Sequence, residues 1–177
     1  MSNPVRRVVT GHDDGGKAII IADGAAPNVR PRPGGIVSTL LWATDETPAD
    51  ISGRADRAAR SIGIPPPPRG SIFRIVDFPP VGDEVKAIDN AAYVRAMGIH
   101  QADGPPARHP YTHRTNSVDY ALVLAGEIDM LLDDSEVHLK AGDVLVQQGT
   151  NHAWVNNGTA TCRIAFILID AQAPLST

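Results

Sequence analysis

From Tyr111 onward the chain is cut by turn-forming clusters at short, regular intervals, and no other feature limits its fold so strongly. Ala125-Gly126, Asp133-Asp134-Ser135, Ala141-Gly142-Asp143, Gly149-Thr150-Asn151 and Asn156-Asn157-Gly158 separate the runs Val118–Leu124, Glu127–Leu132, Glu136–Leu139, Val144–Gln147, His152–Val155 and Cys162–Ile169. Runs this short between turn clusters are read as strands, and their even spacing predicts an all-β barrel or sandwich. The N-terminal half adds to it. Arg6–Thr10 and Lys17–Ala22 flank Gly11-His12-Asp13-Asp14-Gly15-Gly16, which predicts a hairpin. Ile36–Ala43 and Ser71–Phe78 are further strands, the second stopped by Pro79-Pro80. Between them, Arg54–Ser61 is expected to form one or two helical turns, and Pro65–Pro68 an extended, stiff connector. Asp89–Met97 is expected to be a short helix, capped by Asp89 and closed by Gly98.

With 16 glycines and 15 prolines, about one residue in six is a chain-breaker, which argues against a bundle of long helices. A length of 177 residues suits one domain. Its expected parts are N-terminal strands and loop (1–80), a short helix and loop (81–110), and a barrel core (111–171). A net charge of −4 disfavours nucleic acid as a partner, because phosphate binding needs surplus Lys and Arg. No apolar run reaches the ~18–20 residues that span a bilayer. No apolar segment follows Arg6-Arg7, so a secretory signal is not expected. The single cysteine, Cys162, cannot form an internal disulfide; it reads as a small buried hydrophobe and suits a reducing cytoplasm.

Strand alternation sorts the residues after Tyr111 into faces. His113, Thr115 and Asp119 share parity with the small Ala121 and Val123, which leaves room for a cavity beside the polar groups. Tyr120, Leu122 and Leu124 fall on the opposite face, which must also be covered, by another sheet or a second subunit; a homodimer is expected. His152, Trp154 and Asn156 share parity in turn, which places Trp154 against the same cavity. His109 and His100 lie in the loops before this region, while His12 and His138 are expected at the surface.

Two segments carry a resemblance. His113-Arg114-Thr115-Asn116-Ser117-Val118-Asp119 is followed by six residues and Gly126; further on, Gly142-Asp143 leads to Gly149-Thr150-Asn151-His152 and then Asn156. In order and separation these are similar to the two short motifs of the cupin superfamily, over roughly Pro110–Ala171. Thr115 stands where that pattern has a second His, Asp119 replaces its Glu, and a Gln replaces its Pro. The resemblance implies a cupin-type jelly-roll barrel, with the N-terminal hairpin and additional strands laid on it. It also implies a divalent metal ion (Fe, Zn, Mn or Ni) at His113, Asp119 and His152, with Thr115 and Trp154 as water or substrate contacts. The function so implied is a metal-dependent enzyme on a small organic molecule, of lyase, decarboxylase, isomerase or dioxygenase type. The alternative is a cupin that binds or senses a small ligand without turnover.

Overall fold

The computed structural model describes residues 4–99 and 107–173; the expectation for His100 lies outside them. Eleven strands follow one another: β1 (Arg6–His12), β2 (Ala18–Ala25), β3 (Val29–Pro31), β4 (Val37–Thr44), β5 (Ser71–Phe78), β6 (Ser117–Ala125), β7 (Glu127–Leu131), β8 (Glu136–Lys140), β9 (Val144–Gln148), β10 (Ala153–Val155) and β11 (Cys162–Asp170). One helix, α1 (Asn90–Ala96), precedes β6. Asp89 caps it by accepting from the Ala92 amide at 2.6 Å, and Gly98, at φ +70°, turns the chain away.

The strands form an antiparallel hairpin β1–β2, a three-stranded sheet β10-β7-β8 and a six-stranded sheet β3-β4-β5-β11-β6-β9. The jelly-roll expectation holds, but the ladders are not joined into a closed barrel. A lone antiparallel bridge between His113 and His152 stitches the entry to β6 to the entry to β10, with both backbone hydrogen bonds near 3 Å. The candidate metal ligands therefore sit at the seam between the two sheets.

One expectation fails. The segment predicted to be helical over Arg54–Ser61 forms turns instead. Local side-chain bonds and ion pairs win over the weak helical pattern: Asp56 accepts from the Ala58 amide and from Arg7, while Arg57 and Arg60 reach Asp50 and Asp45.

The interior is built by alternation. Ile72, Val76 and Phe78 of β5 and Cys162, Ile164, Phe166 and Leu168 of β11 join Ala121 and Val123 of β6 in one core. Side chains of this size each contribute about 1.5–3 kcal/mol when fully buried. Cys162 is the buried small residue that was expected, and burial pushes its thiol pKa up to about 11.

The other face is only partly covered. Val5 and Ala26, at the ends of the hairpin, close over Leu41, Ile75 and Ala165. Farther along the same sheet, Tyr120 (39% exposed), Leu122 (38%) and Leu124 (49%) on β6 lie beside Val144 (63%) and Val146 (55%) on β9.

Candidate functional site

The strand-parity argument survives a break in the strand. The chain is irregular from Arg114 to Asn116, yet His113, Thr115, Ser117 and Asp119 are all buried. His113, Asp119, His152 and Trp154 line one cavity of about 80 Å³ between the sheets. Thr115 does not line it; its hydroxyl is 2.8 Å from that of Ser117, which donates to Asp119 Oδ1 at 2.5 Å. Asn156 is spent on structure. Its amide donates to the Phe78 and Ala160 carbonyls, and its oxygen accepts from the Gly158 amide. His109 lies outside the cavity, half-buried against Tyr111. His138 is exposed and paired with Asp129.

The two imidazoles meet ring to ring, with centroids 4.4 Å apart. His113 Nδ1 faces the Tyr111 carbonyl at 2.9 Å, and His152 Nδ1 faces that of Thr150 at 3.0 Å. Nδ1–H directed at a carbonyl leaves Nε2 with its lone pair, the tautomer a metal requires. Gln147 stands beside the His152 ring: its amide nitrogen donates to the Thr150 carbonyl at 3.1 Å and lies 2.7 Å from His152 Nδ1, and among the described residues its amide oxygen is buried without a partner.

Burial governs the protonation of these groups. It depresses the His113 pKa against the pull of the Tyr111 carbonyl. It lowers that of His152 to about 3, with help from His113. Burial raises the Asp119 pKa to about 6, opposed by the Ser117 hydroxyl and by Arg74. Both histidines are therefore neutral at physiological pH. Among the described residues no group of three His, Cys, Asp or Glu side chains stands close enough to form a ready metal site. The donor chemistry present is a pair of neutral imidazoles, with Asp119 elsewhere on the same cavity wall.

Several lining residues were not singled out from the sequence: Arg32, Arg74, Tyr93 and Tyr111. Arg74 shares parity with Ile72, Val76 and Phe78, and a lone cation in an apolar row is a signal. Asp77 on the opposite row, beside Phe73 and Ile75, cancels it.

A family model for the cupin domain, Cupin_2, matches residues 99–169. The chain is 33% identical over 176 residues to phomopsin biosynthesis cluster protein C′ of Diaporthe leptostromiformis, covering 94% of this chain and 78% of that protein. It is 31% identical over 142 residues to a cupin-domain-containing oxidoreductase of Neurospora crassa, covering 77% and 59%. A cupin-domain-containing oxidoreductase of Aspergillus ruber is 29% identical over 176 residues, covering 95% and 73%.

Proposed function

The chain belongs to the cupin superfamily, and on that premise we propose that it is an oxidoreductase-type cupin enzyme, with a divalent metal at its histidine pair and a small organic molecule as substrate. The observation that carries this reading is the His113–His152 pair, whose Nδ1 atoms face carbonyls and whose Nε2 atoms make no hydrogen bond among the described residues. His113 and His152 would hold the metal, and Asp119, elsewhere on the same cavity wall, would be the third donor. Such an ion supplies Lewis acidity and, as iron, a redox couple. The Tyr111 and Thr150 carbonyls keep the imidazoles in the ligating tautomer. Trp154, edge-on to His152 at 6.2 Å, packs against the pair and keeps water from that side. Two relatives named as oxidoreductases support the reaction class. The buried, unpaired Cys162 suits a cytoplasmic setting.

Metal content tests the ligand set. His152→Ala and Asp119→Asn are each expected to weaken metal binding by roughly tenfold or more, with the circular dichroism of a folded β protein retained. His138→Ala, on the surface, is expected to keep the wild-type occupancy. Full occupancy in both His152→Ala and Asp119→Asn rejects these ligands. Wild-type protein that takes up none of Fe²⁺, Mn²⁺, Ni²⁺ or Zn²⁺ moves the reading to a small-ligand-binding cupin. Among the described residues no three-ligand group is assembled, and this favours that alternative.

The partner of this reading is a second copy of the chain. The hairpin covers only the Leu41–Ile75 part of the outer face, and Tyr120, Leu122, Val144 and Val146 continue it as an exposed apolar strip. Light scattering is expected to give a dimer at micromolar concentrations, and Leu122→Glu with Val144→Glu a folded monomer. A monomeric wild type rejects the assembly.

A further inference from the structure

Two cationic side chains reach the cavity and have no part in holding a metal. Arg74 projects from β5 within the interior row and is only 5% exposed. One of its terminal nitrogens donates to the Gly63 carbonyl at 2.6 Å, while its Nε is buried with no partner. The guanidinium of Arg32, half-buried between Pro31 and Pro33, makes no hydrogen bond or ion pair among the described residues, where only its backbone amide is bonded, to the Ile36 carbonyl. Against these two charges the lining offers one carboxyl, Asp119, which already accepts from Ser117 and forms no ion pair with either arginine. The histidines are neutral, and burial pushes the Tyr93 and Tyr111 pKa values up, so both stay protonated. The cavity thus carries an excess of positive charge and a guanidinium N–H that nothing among the described residues satisfies. An unsatisfied buried donor is costly, and a guanidinium fork matches a carboxylate in shape and charge.

The rest of the wall is apolar and leads from the arginines to the histidines. Arg74 lies opposite Phe166 in the β5–β11 ladder, Phe166 packs on Trp154 at 5.3 Å, and Trp154 packs on His152. We propose that this cavity binds a small organic monocarboxylate, with its carboxylate between Arg74 and Arg32 and its apolar body along Phe166 and Trp154 toward the histidine pair. The volume, about 80 Å³, is near half the ~150 Å³ that accommodates benzene, which limits the ligand to a short acid of the size of acetate. A single excess positive charge favours a monoanion over phosphate. The inference rests on the preceding reading only in taking this cavity as the functional site.

The test is titration of the metal-free protein with acetate, its neutral isostere acetamide, and inorganic phosphate, followed by calorimetry and thermal shift. Acetate is expected to bind and to raise the melting temperature, with acetamide weaker by roughly tenfold or more. Arg32→Gln and Arg74→Gln are each expected to lower acetate affinity by a similar factor without changing that for the amide. If the buried Arg74→Gln fails to fold, Arg32→Gln decides. The proposal is overturned if the amide binds as well as the acid, if the acid does not bind at saturating concentration, if phosphate is preferred, or if Arg32→Gln leaves the affinity unchanged. Because binding is read without metal or turnover, its failure leaves the metal reading intact, and a protein that takes up no metal leaves this one intact.

Discussion

Asp119→Asn is expected to make the metal-free protein more stable at neutral pH, by about 2–3 kcal/mol. The side chain is buried, and burial lifts its pKa from 3.8 to about 6. The folded state therefore disfavours the ionised form relative to the unfolded chain, at about 1.4 kcal/mol for each tenfold change. Asparagine keeps the shape and the acceptor for Ser117 and removes that charge. The pH dependence separates the groups. Asp119 contributes stability when protonated, present below 3.8 and lost as pH rises through about 6. His113 and His152 act in the opposite sense: both are held neutral, and their contribution, present above 6.5, is lost as pH falls, for His152 toward about 3. In the wild type these opposing slopes partly offset between about pH 7.5 and 5. In the variant only the histidine slope remains, and stability falls by about 2 kcal/mol over that interval from His152 alone. Urea midpoints at three pH values check both statements. A variant less stable than the wild type at neutral pH, or parallel pH profiles, contradicts them. A residue that destabilises its own fold is accounted for by what it holds, which links this result to the metal-content test.

Gly126→Ala is expected to be the more damaging change, costing about 3–4 kcal/mol. Gly126 joins β6 to β7 at φ +74°, a left-handed conformation. A Cβ there lies 2.8 Å from the Thr161 carbonyl oxygen and 2.9 Å from Cys162 Cα. Both are backbone atoms at the start of β11, so relief requires moving that strand. Gly142 provides the contrast: its φ is +96°, but a Cβ meets nothing within 4 Å. Gly142→Ala therefore carries only the conformational term, about 1–2 kcal/mol. Denaturant melts of the two variants side by side check the difference; equal costs exclude the close approach as the cause. Of the two matched motif glycines, one is held by conformation alone and the other by conformation and space.

The strands of the second half were legible because turn chemistry and alternation agree there. Gly126, Gly142 and Gly149 all take positive φ where turns were expected, and the buried parity of His113, Thr115 and Asp119 came through a break in the strand. What alternation cannot supply is the far wall of the cavity. Arg74 is placed by the pairing of β5 with β11, and Arg32, from the segment between β3 and β4, by the folding of that segment over the same opening. No spacing rule connects residues so far apart in the chain. The same limit applies to the helix expected at Arg54–Ser61. The partners of its arginines Arg57 and Arg60, Asp50 and Asp45, lie upstream and are brought near only by the loop. Asn156 shows the converse: its parity matched a buried position, but parity does not say whether an amide faces a ligand or ties down a turn.

The place of β11 bears on the order in which this molecule is made. It pairs with β5 on one side and β6 on the other, so the centre of the large sheet is synthesised after all the other described strands. Until Asp170 has emerged, β5 and β6 each present an open ladder edge, and the core residues Ile164, Phe166 and Leu168 are missing. The nascent chain can close its local pieces, the β1–β2 hairpin and the β7–β8 pair, but it cannot bring Arg74 and Asp119 to the same cavity. Completion of the sheet, and with it the site, waits for the synthesis of β11. Meanwhile its unpaired edges are exposed to other chains.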